Sequence, residues 1–132
     1  MTIKIRNEKN MELMMKPQIE YTVIQFKGIC YFKVTLSCAQ ALWDVNAEAE
    51  LLDYIKDYLF HLLTAKLLYI TKRTRPDIEP AEEFLTTRVA KINVDDWKKP
   101  RTCISHLNQT VENDRIIGVF NLTDLFTWVY AS

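Results

Sequence analysis

A chain of 132 residues that is 48% hydrophobic and 26% charged, with only 2 glycines, is the size of one domain and excludes low-complexity or disordered classes. The formal charge is zero, yet residues 61–110 carry nine Lys or Arg against six Asp or Glu, while residues 36–60 carry one against five. A neutral total therefore covers a mildly basic centre, which permits contact with a polyanion without demanding it.

Residues 2–6, Thr-Ile-Lys-Ile-Arg, alternate polar and apolar side chains and predict a half-buried edge strand, with a polar turn over residues 7–10. Pro17 suits a first helical turn, so a helix is expected over residues 17–27, although Tyr21, Thr22, Val23 and Ile24 pull toward strand. Gly28 is a natural stop, residues 29–35 read as extended, and residues 36–50 as an irregular acidic connection anchored by Leu42, Trp43 and Val45. From Asp53, a plausible N-cap, Ile55, Leu59, Leu62, Leu63, Tyr69 and Ile70 recur at helical spacing. They predict a core helix of about 18 residues, some 27 Å long.

The turn at residues 71–75 contains no glycine, and Pro76 stands well as a first helical residue. Pro80 then requires that the helix begin at residues 79–80 or bend there, with Phe84, Leu85 and Val89 on the buried face. Asn93 can cap a further helix over residues 94–109, with Asp95 and Asp96 favoured in its first turn and Trp97, Ile104 and Leu107 facing inward. Pro100 contradicts that helix and should cost about 3 kcal/mol or kink it. The chain closes on two β-type runs, residues 115–120 and 125–130, expected to pair as a hairpin.

The fold class expected is α+β: one predominantly helical domain with a short N-terminal strand and a C-terminal β-hairpin. Residues 1–50 supply the strand, the first helix and the connection, residues 51–110 a three-helix core, and residues 111–132 the closing strand pair.

No catalytic constellation emerges. His61 and His106 fall on separate predicted helices with no Cys or carboxylate at ligand spacing, and both read as surface or boundary residues. The neighbours Asp95/Asp96 and Glu82/Glu83 point to different sides of a helix. A glycine-rich phosphate loop, a nucleophile elbow and a metal-binding His pair are all missing, so no cofactor or metal is expected. Cys30, Cys38 and Cys103 lack the close pairing of a zinc or redox motif and are expected as buried free thiols. The first ten residues are too polar for a secretory signal, and no apolar run approaches about 18 residues. A cytoplasmic or nuclear location without a membrane is expected.

The cations are the chemistry that remains. Lys66, Lys72, Arg73, Arg75, Arg88, Lys91, Lys98, Lys99 and Arg101 lie on three successive helical segments and their turns. Phosphate contacts need only Lys or Arg facing one groove. A solvated face with interspersed acids is the plain alternative on composition alone.

A longer pattern gives these residues a context. Ala-Leu-Trp-Asp-Val-Asn (residues 41–46), Leu-Phe-His (59–61), Ala-Lys-Leu-Leu-Tyr-Ile-Thr-Lys-Arg-Thr-Arg-Pro-Asp-Ile (65–78) and Phe-Leu-Thr-Thr-Arg-Val (84–89) occur in order. Asp-Asp-Trp-Lys-Lys (95–99), residues 107–118 and the closing Trp-Val-Tyr-Ala-Ser extend the series. The stretch from Ala41 to Ser132 resembles the Pol polyprotein of copia-type retrotransposons, after the reverse transcriptase palm and leading into ribonuclease H; residues 2–26 are similar more weakly. The resemblance implies the thumb and connection, which grips an RNA/DNA template-primer behind the polymerase site of an RNA-directed DNA polymerase. It implies nonspecific nucleic-acid binding through Lys72, Arg73, Arg75 and Arg88, with Lys98 and Lys99 as further candidates.

The family's polymerase aspartates, in a Tyr-x-Asp-Asp type motif, belong to the palm, and its Trp-Val-Asp-Ala-Ser resembles the first metal ligand of ribonuclease H. Here Tyr130 replaces that aspartate. Pro100, Glu82, Glu83, Tyr21, Val23 and Ile24 also depart from the family pattern. A diverged, truncated fragment without catalysis of its own is expected, whose other partners are the palm or ribonuclease H domains. The alternatives are a non-catalytic interaction module, self-association included, or an inert transposon remnant.

Overall fold

The computed structural model describes residues 1–7, 10–26 and 42–118. Two strands, β1 (Thr2–Asn7) and β2 (Asn10–Met14), open the chain, followed by α1 (Lys16–Gln25), the long α2 (Tyr54–Arg73) and a 3-10 turn at Pro76–Ile78. Next come α3 (Glu79–Arg88), a second 3-10 turn at Asp96–Lys98, α4 (Pro100–Gln109) and β3 (Arg115–Gly118). The architecture is α+β and mostly helical, with one antiparallel sheet in the order β1-β2-β3.

β2 is a strand where sequence reasoning expected none. Its residues, Asn-Met-Glu-Leu-Met, include good helix formers, but pairing on both sides overrides propensity. Ile3 faces Leu13 and Ile5 faces Met11 on one side, while Met11 faces Ile117 and Leu13 faces Arg115 on the other. Arg6 locks the β1–β2 hairpin with a fork onto Glu12, at 3.0 and 2.6 Å. β3 thus takes β2 as its partner; residues 119–132, with the expected second strand of the C-terminal hairpin, lie outside the described residues, as do Gly28, the extended piece at residues 29–35, Cys30 and Cys38.

α1 forms close to expectation, with Pro17 in its first turn and Ile19 and Thr22 buried. α2 begins at the expected cap: Asp53 accepts a hydrogen bond from the Lys56 backbone N–H at 2.8 Å. Phe60, Leu63, Leu67 and Ile70 form its buried stripe, each contributing about 1.5–3 kcal/mol by leaving water. The stripe is displaced from the expected one, because Ile55 and Tyr69 are exposed and the first turn of α2 projects beyond the core.

Pro76 explains how α2 ends without glycine. The residue before a proline is driven out of helical geometry, and Arg75 stands at φ −125°, ψ 66°. Pro76 opens the short turn and Pro80 falls in the first turn of α3, so neither breaks a helix.

The helix expected over residues 94–109 is in fact two elements. Asn93 caps as foreseen, accepting from the backbone N–H groups of Asp95 and Asp96 at 3.1 and 2.9 Å, but it caps only the Asp96–Lys98 turn. Pro100 is the first residue of α4, where its missing N–H has no helical partner to lose, and the expected 3 kcal/mol penalty does not arise. Ile104 and Leu107 then meet Met15, Ile19, Leu67 and Leu85 in one core, with Cys103 a buried thiol among them.

Candidate nucleic-acid interface

The six cations singled out from sequence divide sharply by environment. Arg75 is only 2% exposed. Its Nε and Nη2 donate to the two oxygens of Asp77 at 2.8 and 2.6 Å, and its Nη1 donates to the Thr110 carbonyl at 2.9 Å, tying the end of α2 to the end of α4. His106, on α4, meets the same Asp77 at 2.8 Å. Burial disfavours the ionised Asp77, but hydrogen bonds from Arg75 and His106 outweigh it and hold the carboxyl below its ordinary range.

Arg88 and Lys99 are also committed inward. Both meet Asp96, a buried carboxylate: Arg88 through Nε and Nη2, each at 3.1 Å, and Lys99 through Nζ at 2.8 Å. Burial again opposes ionisation of Asp96, and the Arg88 and Lys99 hydrogen bonds overcome it, so its pKa lies below the ordinary value. Lys99 also donates to the Asp44 carbonyl at 2.6 Å and lies over the Phe84 ring, itself in edge contact with Trp43. Of the expected anchors of the connection, Leu42 is buried, whereas Trp43 meets Phe84 only at its edge and stays 40% exposed, and Val45 is exposed. Asn46 completes the clamp, donating to Asp95 at 3.1 Å while its carbonyl accepts from Asn93 at 2.8 Å.

Lys98 is exposed and pairs with Asp95 at 3.3 Å, lining one cavity with Asn46 and Lys99. Lys72 is exposed at the end of α2 and pairs with Glu79, and with Glu83 at 4.0 Å; its hydrogen bond to Glu79 raises its pKa. Arg73 is exposed, with its guanidinium 4.0 Å above the Tyr69 ring.

One turn further back on α2, Lys66 lies 4.4 Å over the ring of Tyr21 from α1 and donates to Gln25. Lys66, Tyr69 and Arg73 follow the i, i+3, i+7 spacing that puts them on one side of α2. Lys66 and Tyr69 line a cleft of about 390 Å³ between α1 and α2, together with Pro17, Gln18, Tyr21, Thr22, Ala65 and Ile70, and Arg73 stands one turn beyond Tyr69, outside that lining. Among the described residues neither Lys66 nor Arg73 has an ion-pair partner, so their charge is available to an outside anion.

Of the six cations expected at the interface, Lys72, Arg73 and Lys98 are exposed, but Lys72 turns to Glu79 and Glu83, Lys98 to Asp95, and Arg73 alone of the six faces outward on a tyrosine ring. The sequence reading counted Lys66 among the cations but left out Tyr21 and Tyr69 as chemistry. The spacing of Lys66, Tyr69 and Arg73 was the available signal; the meeting of Tyr21 with Lys66 across two helices had none. The approach of His106 to Asp77, 29 positions apart, was likewise invisible. His61 is a surface residue beside Asp57, as expected. Among the described residues, no group of three His, Cys, Asp or Glu stands close enough to hold a metal ion, and no helix is long and apolar enough to cross a membrane.

No protein-family model, curated protein or solved structure matches the chain.

Proposed function

We propose that this chain is a piece of the thumb and connection of a copia-type retrotransposon Pol polyprotein, with a nonspecific role in holding an RNA/DNA template-primer and no catalysis of its own. The family assignment rests on the ordered motifs of the sequence. The binding role rests on one observation: Lys66 and Arg73 line up on one side of α2, each against a tyrosine ring and without an ion-pair partner among the described residues. Cations so arranged attract phosphates without reading bases. Lys66 and Arg73 carry this role; Lys72, paired with Glu79 and Glu83, and Lys98, paired with Asp95, contribute where a phosphate displaces those carboxylates. Arg75, Arg88 and Lys99 serve the fold.

The test is anisotropy of a labelled RNA·DNA hybrid titrated with the chain between about 50 and 200 mM salt. Two phosphate contacts give a log–log salt slope near −2, and the double substitution Lys66→Ala, Arg73→Ala weakens binding and removes most of that slope. Binding indifferent to salt and to both substitutions would sink the proposal.

A second reading, a non-catalytic interaction module, is favoured by a different surface. Tyr54, Ile55 and Tyr58 are spaced on α2 as a core stripe would be, yet all are exposed, Tyr54 by 84%, and Leu51, just before the helix, is exposed as well. A second copy of the chain pairing through this stripe would cover them. Light scattering after size exclusion distinguishes the cases, since a clean monomer at every concentration excludes self-association.

A further inference from the structure

The cleft between α1 and α2 has a composition that phosphate attraction does not require. Its lining combines two tyrosine rings from facing helices, Tyr21 and Tyr69, with apolar floor residues such as Ala65 and Ile70. The lining contains no carboxylate, and its neutral polar side chains are the Gln18 amide, the Thr22 hydroxyl and the two tyrosine hydroxyls. Each ring also carries its own cation: Lys66 at 4.4 Å from Tyr21 and Arg73 at 4.0 Å from Tyr69.

A duplex presents phosphates on its outside and keeps its base faces stacked within, so it would use the cations and leave the rings idle. A single strand presents both. Its bases have free π faces that stack on aromatic side chains, and the phosphate linking them needs a cation a few ångströms from each ring. The volume, about 390 Å³, is within the range of sites that enclose a small organic group. We infer that this cleft is a binding site for unpaired nucleotides, in which single-stranded nucleic acid stacks bases on Tyr21 and Tyr69 while Lys66 in the lining and Arg73 beyond its end hold backbone phosphates. Because every base has a π face, the site would be tolerant of sequence but selective for strandedness. This deepens the nucleic-acid reading given above and rests on it.

Both tyrosines are substantially exposed, 62% for Tyr21 and 44% for Tyr69, so replacing them leaves the core intact. The experiment uses the intact chain, a fluorescein-labelled 15-nucleotide oligothymidylate and a blunt RNA·DNA hybrid of equal length. It compares the parent with Tyr21→Ala, Tyr69→Ala and the double Phe variant, and circular dichroism melts verify folding. The expected result is that either Ala substitution lowers the ratio of single-strand to hybrid affinity about tenfold, while the Phe variant, which keeps both rings, retains it. If the parent binds both probes and the ratio is indifferent to the tyrosines, the cleft is not a stacking site, although the phosphate-binding reading survives. If the parent binds neither probe, both readings fall.

Discussion

Replacing Arg75 by alanine removes a side chain only 2% exposed that joins three elements: the end of α2, the Pro76–Ile78 turn and the end of α4. The loss has separable parts. The Thr110 carbonyl loses its guanidinium donor but keeps the Asn113 N–H at 3.0 Å, so this part costs less than the about 1–3 kcal/mol of a buried acceptor left wholly unsatisfied. Breaking a buried ion pair from one side typically costs about 3–5 kcal/mol. Here the Asp77 side chain is 43% exposed and keeps His106 as a partner, so water and imidazole recover part of that penalty. These effects overlap rather than add, and the expected destabilisation is about 3 kcal/mol, or roughly 10 °C in melting temperature for a chain of this size. Arg75→Lys retains the charge but not the planar fork and should fall about halfway between. Thermal and urea unfolding by circular dichroism measure both variants, and folded Arg75→Lys should bind an RNA·DNA hybrid as the parent does. A melting temperature for Arg75→Ala within about 2 °C of the parent, together with weakened hybrid binding, would refute the argument and return Arg75 to the phosphate contacts.

Acid should destabilise the fold in a defined window. Asp77 and Asp96 have folded pKa values below their unfolded ones, so their contribution is complete above the ordinary carboxylate pKa of about 4 and is lost as pH falls through the folded values. Melting temperature should therefore be level from about pH 7 to 5 and fall below about pH 4, with a shallower acid slope in Asp96→Asn; no decline by about pH 3 would contradict the assigned ion pairs. Pro100→Ala should change stability by less than about 1 kcal/mol in urea unfolding, because Pro100 opens α4; a gain near 3 kcal/mol would mean that the proline interrupts a continuous helix.

The parts of the fold that were legible are those where a local rule and the tertiary structure agree. Asp53 caps α2 because its carboxylate reaches the Lys56 N–H, and the run from Phe60 to Ile70 has the period of a buried helix face. Pro100 was misread although the rule that placed Pro17 and Pro76 applied to it: the apolar periodicity of Trp97, Ile104 and Leu107 suggested one helix, whereas proline marks a start. β2 was hidden for a different reason. Met11, Leu13 and Met14 have no strand preference of their own, and only β1 and β3, the latter about a hundred positions away, make that segment extended. Ile55 misled because periodicity reports which side of a helix is apolar, not how far the rest of the molecule extends along it.

For the candidate interface, sequence shows where charges are and not what neutralises them. Nine cations between residues 61 and 110 suggest a basic surface, but a cation's availability depends on its distance from the nearest carboxylate in space. Asp96 alone takes up Arg88 from eight positions before it and Lys99 from three positions after it. Arg75 is removed from the surface by the backbone itself, since Pro76 ends the helix at that residue and the guanidinium is then buried on Asp77 and Thr110. The charge left for an outside anion is concentrated where α2 lacks ion-pair partners, at Lys66 and Arg73. Both instead contact tyrosine rings, which orient a cation without cancelling its charge. Of the nine cations, Lys66 and Arg73 thus combine a charge without an ion-pair partner with an aromatic face, the pairing on which the proposed single-strand site rests.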